Sequence, residues 1–229
     1  MTSPHDSGPG QPRRPKRPRS PKGRARETAA RLAEEYPEAQ CELDHTNPYE
    51  LLAATILSAQ CTDARVNLVT PALFARYPTP DDLAHAEPSE LEGIVRSTGF
   101  YASKTRNLIG MGNALVEHFD GEVPTELADL VTIPGVGRKT GNLMRAVVFD
   151  LPGIVVDTHV KRLANRLGLT EHDDPTKVER DLQRLLPVAA HSGVGLRLIL
   201  HGRRVCFARN PNCENCVIED FCPSSALRI

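Results

Sequence analysis

One stretch, Ile133-Pro134-Gly135-Val136-Gly137-Arg138-Lys139-Thr140-Gly141-Asn142, restricts the fold more than any other part of the chain. Before it, Glu126 to Leu130 reads as a short helix, and Arg138 to Phe149 reads as a longer one. The few residues between them hold one proline and two glycines, which suit a tight hairpin with unusual φ values. Closely placed glycines let backbone approach a ligand, and the N–H groups opening the second helix have no partner within it. Together these features favour an anion such as a phosphate. A helix–hairpin–helix of this kind grips a nucleic-acid backbone without reading bases. Lys139 follows the second glycine by two residues, placing an amine beside that anion site.

Beyond a basic tail, the remainder of the chain reads as further helices. Residues 1–23 are rich in Pro, Arg, Lys, Ser and Gly without apolar periodicity, and read as a disordered basic tail. The tail is either a solvated extension without a role or a non-specific attractor of phosphates. A helical pattern runs from Arg24 to Tyr36. Asn47-Pro48 has the form of an N-cap with Pro at the first helical position, opening a helix through Leu51, Leu52, Ile56 and Leu57. Thr62, Thr79-Pro80 and Pro88-Ser89 mark further starts. A helix through Leu108, Met111, Leu115 and Phe119 begins near Ser103. Asp157-Thr158 can cap a helix that Gly168 would end, Asp174-Pro175 starts another, and a last one spans roughly 194–205. Periods near 3.6 recur and alternating patterns are scarce, so the expected fold is all-α.

The 229 residues suit one large domain or two small ones, and a hydrophobic share of 40% can fill a core. No apolar run reaches membrane-spanning length and no signal-peptide pattern follows the start, so a cytoplasmic, nucleoid-associated protein with no membrane partner is expected. The net charge of −1 conceals an asymmetry: residues 1–26 hold eight Arg/Lys against one acid, leaving 20 basic and 28 acidic residues beyond them. Yet 134–166 carries six basic residues against Asp150 and Asp157, and 197–209 carries four arginines and no acid. Segregation of this kind permits a basic face on an acidic protein.

Four of the six cysteines, Cys206, Cys213, Cys216 and Cys222, follow the spacing C-x6-C-x2-C-x5-C. A secreted disulfide framework would spread its cysteines more widely, so a reducing compartment and a metal centre are the better reading. Zinc modules tend to pair two C-x2-C knuckles, and this run has one. The spacing therefore favours a [4Fe–4S] cluster over the competing zinc site. Cys41 and Cys61 lie outside the run and read as small buried hydrophobes.

Lys139 can be a phosphate contact or a nucleophile. A helix first turn and a neighbouring arginine, Arg138, both disfavour an ammonium there and raise the share of neutral amine. Asp157 can be an N-cap or a functional carboxylate. The helix from Arg138 to Phe149 rises roughly 18 Å, and the connection 150–156 can reach about 24 Å. The chain can therefore return Asp157 to the end where Lys139 sits, giving a nucleophile and a general acid/base on one cleft.

The segments SAQCTD (58–63), IPGVGRKTGN (133–142), VVDTHVKRL (155–163), LILHGR (198–203) and the cysteine run resemble the endonuclease III family. These are iron–sulfur, helix–hairpin–helix DNA glycosylases of base excision repair, and the likeness covers nearly everything after the basic tail. The resemblance implies two all-α domains with a DNA groove between them. A six-helix domain would span 41–151 and hold the hairpin motif at 126–149; residues 24–40 and 152–229 would form the cluster domain. It implies double-stranded DNA with damaged pyrimidines or abasic sites as substrate, and a monomer. Lys139 would attack the sugar C1′ of a flipped nucleotide, form a Schiff base and cut the strand 3′ to the site by β-elimination, with Asp157 as the essential carboxylate. Gln60 would fill the gap left by the flipped nucleotide, and Gly135, Gly137, Arg138, His159 and Arg209 would contact DNA. Two positions depart from the family: Phe100 stands where relatives present an aliphatic wedge, and Asn210 where a second basic residue is common.

Two other readings compete. Monofunctional, adenine-excising relatives place a carboxylate on the first helix of the six-helix domain and carry a further C-terminal domain. Here Leu51 to Ala59 contains no acid, and Lys139 is present. A non-catalytic DNA-binding module with structural zinc would be colourless and would never cut its ligand.

Overall fold

The computed structural model describes residues 17–227, and all regular structure among them is helical. The α-helices are α1 (Pro21–Glu35), α2 (Pro48–Leu57), α3 (Asp63–Arg76), α4 (Pro80–Ala84), α5 (Pro88–Val95), α6 (Tyr101–Phe119), α7 (Leu127–Leu130), α8 (Arg138–Val147), α9 (Thr158–Arg166), α10 (Pro175–Leu185) and α11 (His191–Arg204). Short polar side chains set most of the starts. Asn47, Thr62, Thr79 and Asp174 accept hydrogen bonds from the N–H groups of Glu50, Arg65, Asp82 and Lys177, satisfying donors that the helix cannot pair itself. Proline occupies the first position of α2, α4 and α10, where its missing N–H has no cost.

Three starts differ from the expectation, and one of them is α11, which begins at His191 rather than near residue 194. Helix α1 begins at Pro21, capped by Ser20, so the last residues assigned to a disordered tail are helical. Their order has a cause: the Arg24 guanidinium donates to the carbonyls of Leu167 at 2.6 Å and Gly168 at 2.9 Å, which fastens the start of α1 to the end of α9. Residues 1–16 of that tail lie outside the described residues. Helix α6 begins at Tyr101, two residues earlier than Ser103, because its N-cap Phe100 takes a left-handed backbone that the sequence does not announce.

The apolar side chains gather into two cores. The first is built from residues between Leu43 and Met144, and α2 lies at its centre, buried on every face from Tyr49 to Leu57. The second combines α1 (Ala25, Leu32, Tyr36) with Ile154, Val156 and helices α9, α10 and α11, ending at Phe221. Helix α1 is tied to the C-terminal segment by Arg31, which donates to the Val217 carbonyl and pairs with Asp220 at 2.6 Å. The chain thus starts in one core, crosses to build the other, and returns along the buried strip Ile154-Val155-Val156. Helix α11 also packs on α8, so the two cores meet along the hairpin helix.

Candidate active site and cluster pocket

The hairpin between α7 and α8 is anchored by Ile133 and Val136, both buried, with the Val136 N–H donating to the Ile133 carbonyl. The two glycines do different things. Gly135 sits at φ +81, and an added Cβ would lie 2.9 Å from the Asn107 Cβ. Gly137 has an extended backbone at φ −93 and serves as N-cap of α8 without a side chain to cap it, while an added Cβ would meet nothing within 4 Å. Only the first glycine is demanded by the fold; the second leaves the N–H groups of α8 open to an anion. Gly135→Ala is therefore expected to lower the thermal midpoint by about 5 °C, from left-handed strain plus the clash. Gly137→Ala should leave the midpoint within about 1 °C and weaken duplex affinity in a titration.

Lys139, in the first turn of α8, lines two adjoining clefts. One, of about 430 Å³, is shared with Gln60, Phe100, Lys104, Asn107 and Gly135. The other, of about 90 Å³, is shared with Cys41, Glu42, Asp63, Asp157 and Arg203. Asp157 is also the N-cap of α9: its Oδ1 accepts from the N–H groups of His159 at 2.8 Å and Val160 at 2.9 Å, and its Oδ2 lies 3.1 Å from His159 Nδ1. The capping role and the cleft position belong to the same carboxylate, and His159 orients it. Gln60, at φ +53, and Phe100, at φ +48, both border the larger cleft in left-handed conformations that non-glycine residues avoid.

Arg138 has a partner within the fold. Its Nε and Nη2 donate to Glu179 at 2.7 and 2.8 Å, and that carboxylate side chain is only 3% exposed. The bidentate pair holds the guanidinium charge, raises its pKa by hydrogen bonding, and ties α8 to α10. The side chain nevertheless stays 42% exposed, with Nη1 outside that pair. Much of the remaining basic excess is also bound internally. Arg145 donates to the Thr125 carbonyl at 2.6 Å, and Arg162 to the carbonyls of Gly202 and Cys206 at 2.9 Å. Arg166 donates to the Phe207 and Ala208 carbonyls, and Arg203 pairs with Glu42 at 2.8 Å and Asp63 at 3.8 Å. Arg209 is exposed on the loop between the first two cysteines of the run and lines neither cleft.

Two cleft residues lack a motif. Lys104, on α6, is 3% exposed, with Nζ donating to the Thr98 carbonyl at 2.7 Å. Cys41 packs against the first core, as a small hydrophobe does, while also lining the Lys139–Asp157 cleft, and burial raises its thiol pKa.

Cys206, Cys213, Cys216 and Cys222 line one pocket, together with Arg166 and His201, and none is in a disulfide. Burial drives the Cys216 thiol up to about 11, and the other three sulfurs push it the same way. Four thiolates so placed need a cation to hold them. Arg166 Nη1 donates to Cys206 Sγ at 3.2 Å and His201 Nε2 lies 3.3 Å from Cys216 Sγ, the polar support that cluster ligands receive. Four cysteine thiolates lining one pocket are the donor set that a [4Fe–4S] cluster takes. Cys216→Ser should yield a colourless protein that lacks the visible absorbance, binds less iron and melts earlier; retained zinc with unchanged colour would contradict the cluster.

A hairpin with an open helix N-terminus, a lysine and a carboxylate on one cleft, and a four-cysteine pocket are the features that the resemblance to iron–sulfur, helix–hairpin–helix DNA glycosylases implies. Residues 53–188 match the HhH-GPD superfamily base excision DNA repair protein, and residues 206–222 match the iron–sulfur binding domain of endonuclease III. Over 205 residues the chain is 50% identical to endonuclease III of Synechocystis, covering 89% of this chain and 94% of that protein. It is 42% identical over 199 residues to endonuclease III of Bacillus subtilis, covering 86% and 91%. A solved structure of a trapped endonuclease III–DNA covalent intermediate, an estranged-adenine complex, superposes with a TM-score of 0.84 at 42% identity, covering 90% of this chain and 98% of that one. The chain belongs to the endonuclease III family. It is a DNA-binding base excision repair enzyme, a DNA glycosylase and abasic-site lyase that carries a [4Fe–4S] cluster. No helix among the described residues is long and apolar enough to cross a membrane.

Proposed function

We propose that this enzyme removes oxidised pyrimidines from double-stranded DNA and cuts the resulting abasic site through a Schiff base on Lys139. The observation that carries the proposal is the position of Lys139, at the open N-terminus of α8 and on the wall it shares with Asp157. A phosphate held by the α8 N–H groups brings the adjoining sugar to the amine. The neutral amine bonds to C1′ as the glycosidic bond breaks, and the departing base takes up a proton. Opening of the sugar ring gives the imine; loss of a C2′ proton then expels the 3′ phosphate, and water releases the enzyme. Asp157 stabilises the cationic sugar and assists the proton transfers. The trapped covalent complex of the structural relative supports such an intermediate for this chain.

In the same reading Gln60, Gly135, Gly137 and His159 meet the DNA directly, Arg209 contacts phosphate from the cluster loop, and Arg138 acts mainly through Glu179. Cys206, Cys213, Cys216 and Cys222 hold the cluster, which when bound cross-links the C-terminal segment beneath α9 and α11. The two cores correspond to two domains, 41–151 and 24–40 with 152–229, and the DNA groove lies where they meet. The enzyme acts as a monomer in the cytoplasm, at the nucleoid. Duplexes carrying thymine glycol, 5-hydroxycytosine or 8-oxoguanine test the substrate class. Release of the two pyrimidines at rates well above the purine is expected, and a preference for the purine would refute the assignment. Sedimentation of the protein with and without duplex tests the monomer.

A further inference from the structure

We propose that Lys104 is a positioning residue that fixes Phe100 as a rigid wedge at the mouth of the larger cleft. The proposal rests on the reading of that cleft as the DNA-facing one. Phe100 is 66% exposed, an unusual state for a large aromatic side chain, and borders the cleft that also holds Gln60 and Lys139. Its backbone is left-handed at φ +48 and follows Gly99 at φ +73. Such a turn is unfavourable for a phenylalanine and persists only where neighbours impose it.

Lys104 supplies that constraint from both sides of the turn. Its backbone N–H donates to the Phe100 carbonyl at 3.1 Å, and its Nζ donates to the Thr98 carbonyl at 2.7 Å. The Gly99–Phe100 pair is thereby bracketed by one residue. The Thr98 end is itself immobile: Thr98 is 2% exposed and its hydroxyl donates to the Val95 carbonyl at 2.8 Å. Burial opposes the charge on Lys104, so an amine here has a cost that a simple core residue would avoid. What the amine secures is an aromatic ring held out from the surface on a stiff turn. Apolar side chains presented in this way enter a base step and unstack it. Gln60, also left-handed and on the same cleft, stands ready for the vacated space.

The test is a double-mutant cycle of Lys104→Met and Phe100→Ala, followed by two readouts. The first is single-turnover excision of thymine glycol from a duplex, compared with lyase cleavage of a preformed abasic site. The second is fluorescence of 2-aminopurine beside the lesion, which reports unstacking without any chemistry. Lys104→Met should lower excision about tenfold, the scale of one lost base–aromatic stack, with a smaller effect on the lyase step and a weaker fluorescence rise. It should match Phe100→Ala, and the double variant should be no worse than either. Effects that multiply, or a lowered thermal midpoint with both activities and fluorescence unchanged, would overturn the proposal. Lys104→Leu replaces the methionine variant should that protein not fold, and Lys104→Gln, which keeps an N–H donor, should recover part of the lost excision and fluorescence rise. Lys139→Gln run in parallel separates the two readings. If it still forms adducts the catalytic assignment fails, while the fluorescence cycle continues to judge Lys104.

Discussion

Lys139→Gln protein is expected to bind lesion-bearing duplex with affinity close to that of the native enzyme and to form no adduct on borohydride treatment. Strand cleavage at an abasic site should fall by about ten-thousand-fold, the usual cost of deleting a covalent nucleophile. The geometry explains why binding survives. In the proposed function the hairpin grip is made by backbone N–H groups at Gly137 and beyond, and glutamine at the second helical position leaves those unchanged. Lys139 is exposed, and its removal opens no cavity. Electrophoresis of trapped complexes measures the adduct and a fluorescence anisotropy titration measures the affinity. An undiminished adduct would move the nucleophile elsewhere.

Asp157→Asn should separate the two roles of one side chain. The asparagine oxygen can accept from the His159 and Val160 N–H groups as the aspartate does, so α9 keeps its cap and stability changes by no more than about 0.5 kcal/mol. The negative charge is lost, and single-turnover base release should fall by about 100- to 1,000-fold. Asp157→Ala removes cap and charge together, and is expected to lose about 1 kcal/mol of stability as well. Calorimetry and single-turnover assays on the three proteins decide the matter. Equal activity in native and asparagine proteins would reduce Asp157 to a cap.

How much of this was legible beforehand depended on whether the responsible interaction is local. The starts of α2, α3, α4 and α10 were readable because a cap and its helix lie within four residues, as with Asn47 and Glu50. The hairpin was readable for the same reason. That Asp157 borders the cleft beside Lys139 follows from chain length and helix rise. The destination of Arg138 was not readable, since Glu179 lies 41 residues further along and α10 carries no mark of a partner. Neither was the burial of Lys104: a lysine in an amphipathic helix reads as solvated, and only the left-handed turn before α6 brings a carbonyl to its amine. The basic excess in 134–166 suggested a binding face. In the fold, Arg138, Arg145, Arg162 and Arg166 instead stitch loops and helices together, which a charge count cannot distinguish.

The threading of the chain through its two cores has a consequence for how the protein is made. The first core is complete once Met144 has been synthesised, and it can condense while the rest is still being translated. The second cannot, because α1, among the first parts made, must wait for Ile218 and Phe221 before its apolar side is fully covered. The nascent chain therefore carries a partly uncovered amphipathic helix until residues near Phe221 are made. The last cysteine of the run, Cys222, emerges only as that wait ends, so loading of iron and closure of the second core fall together.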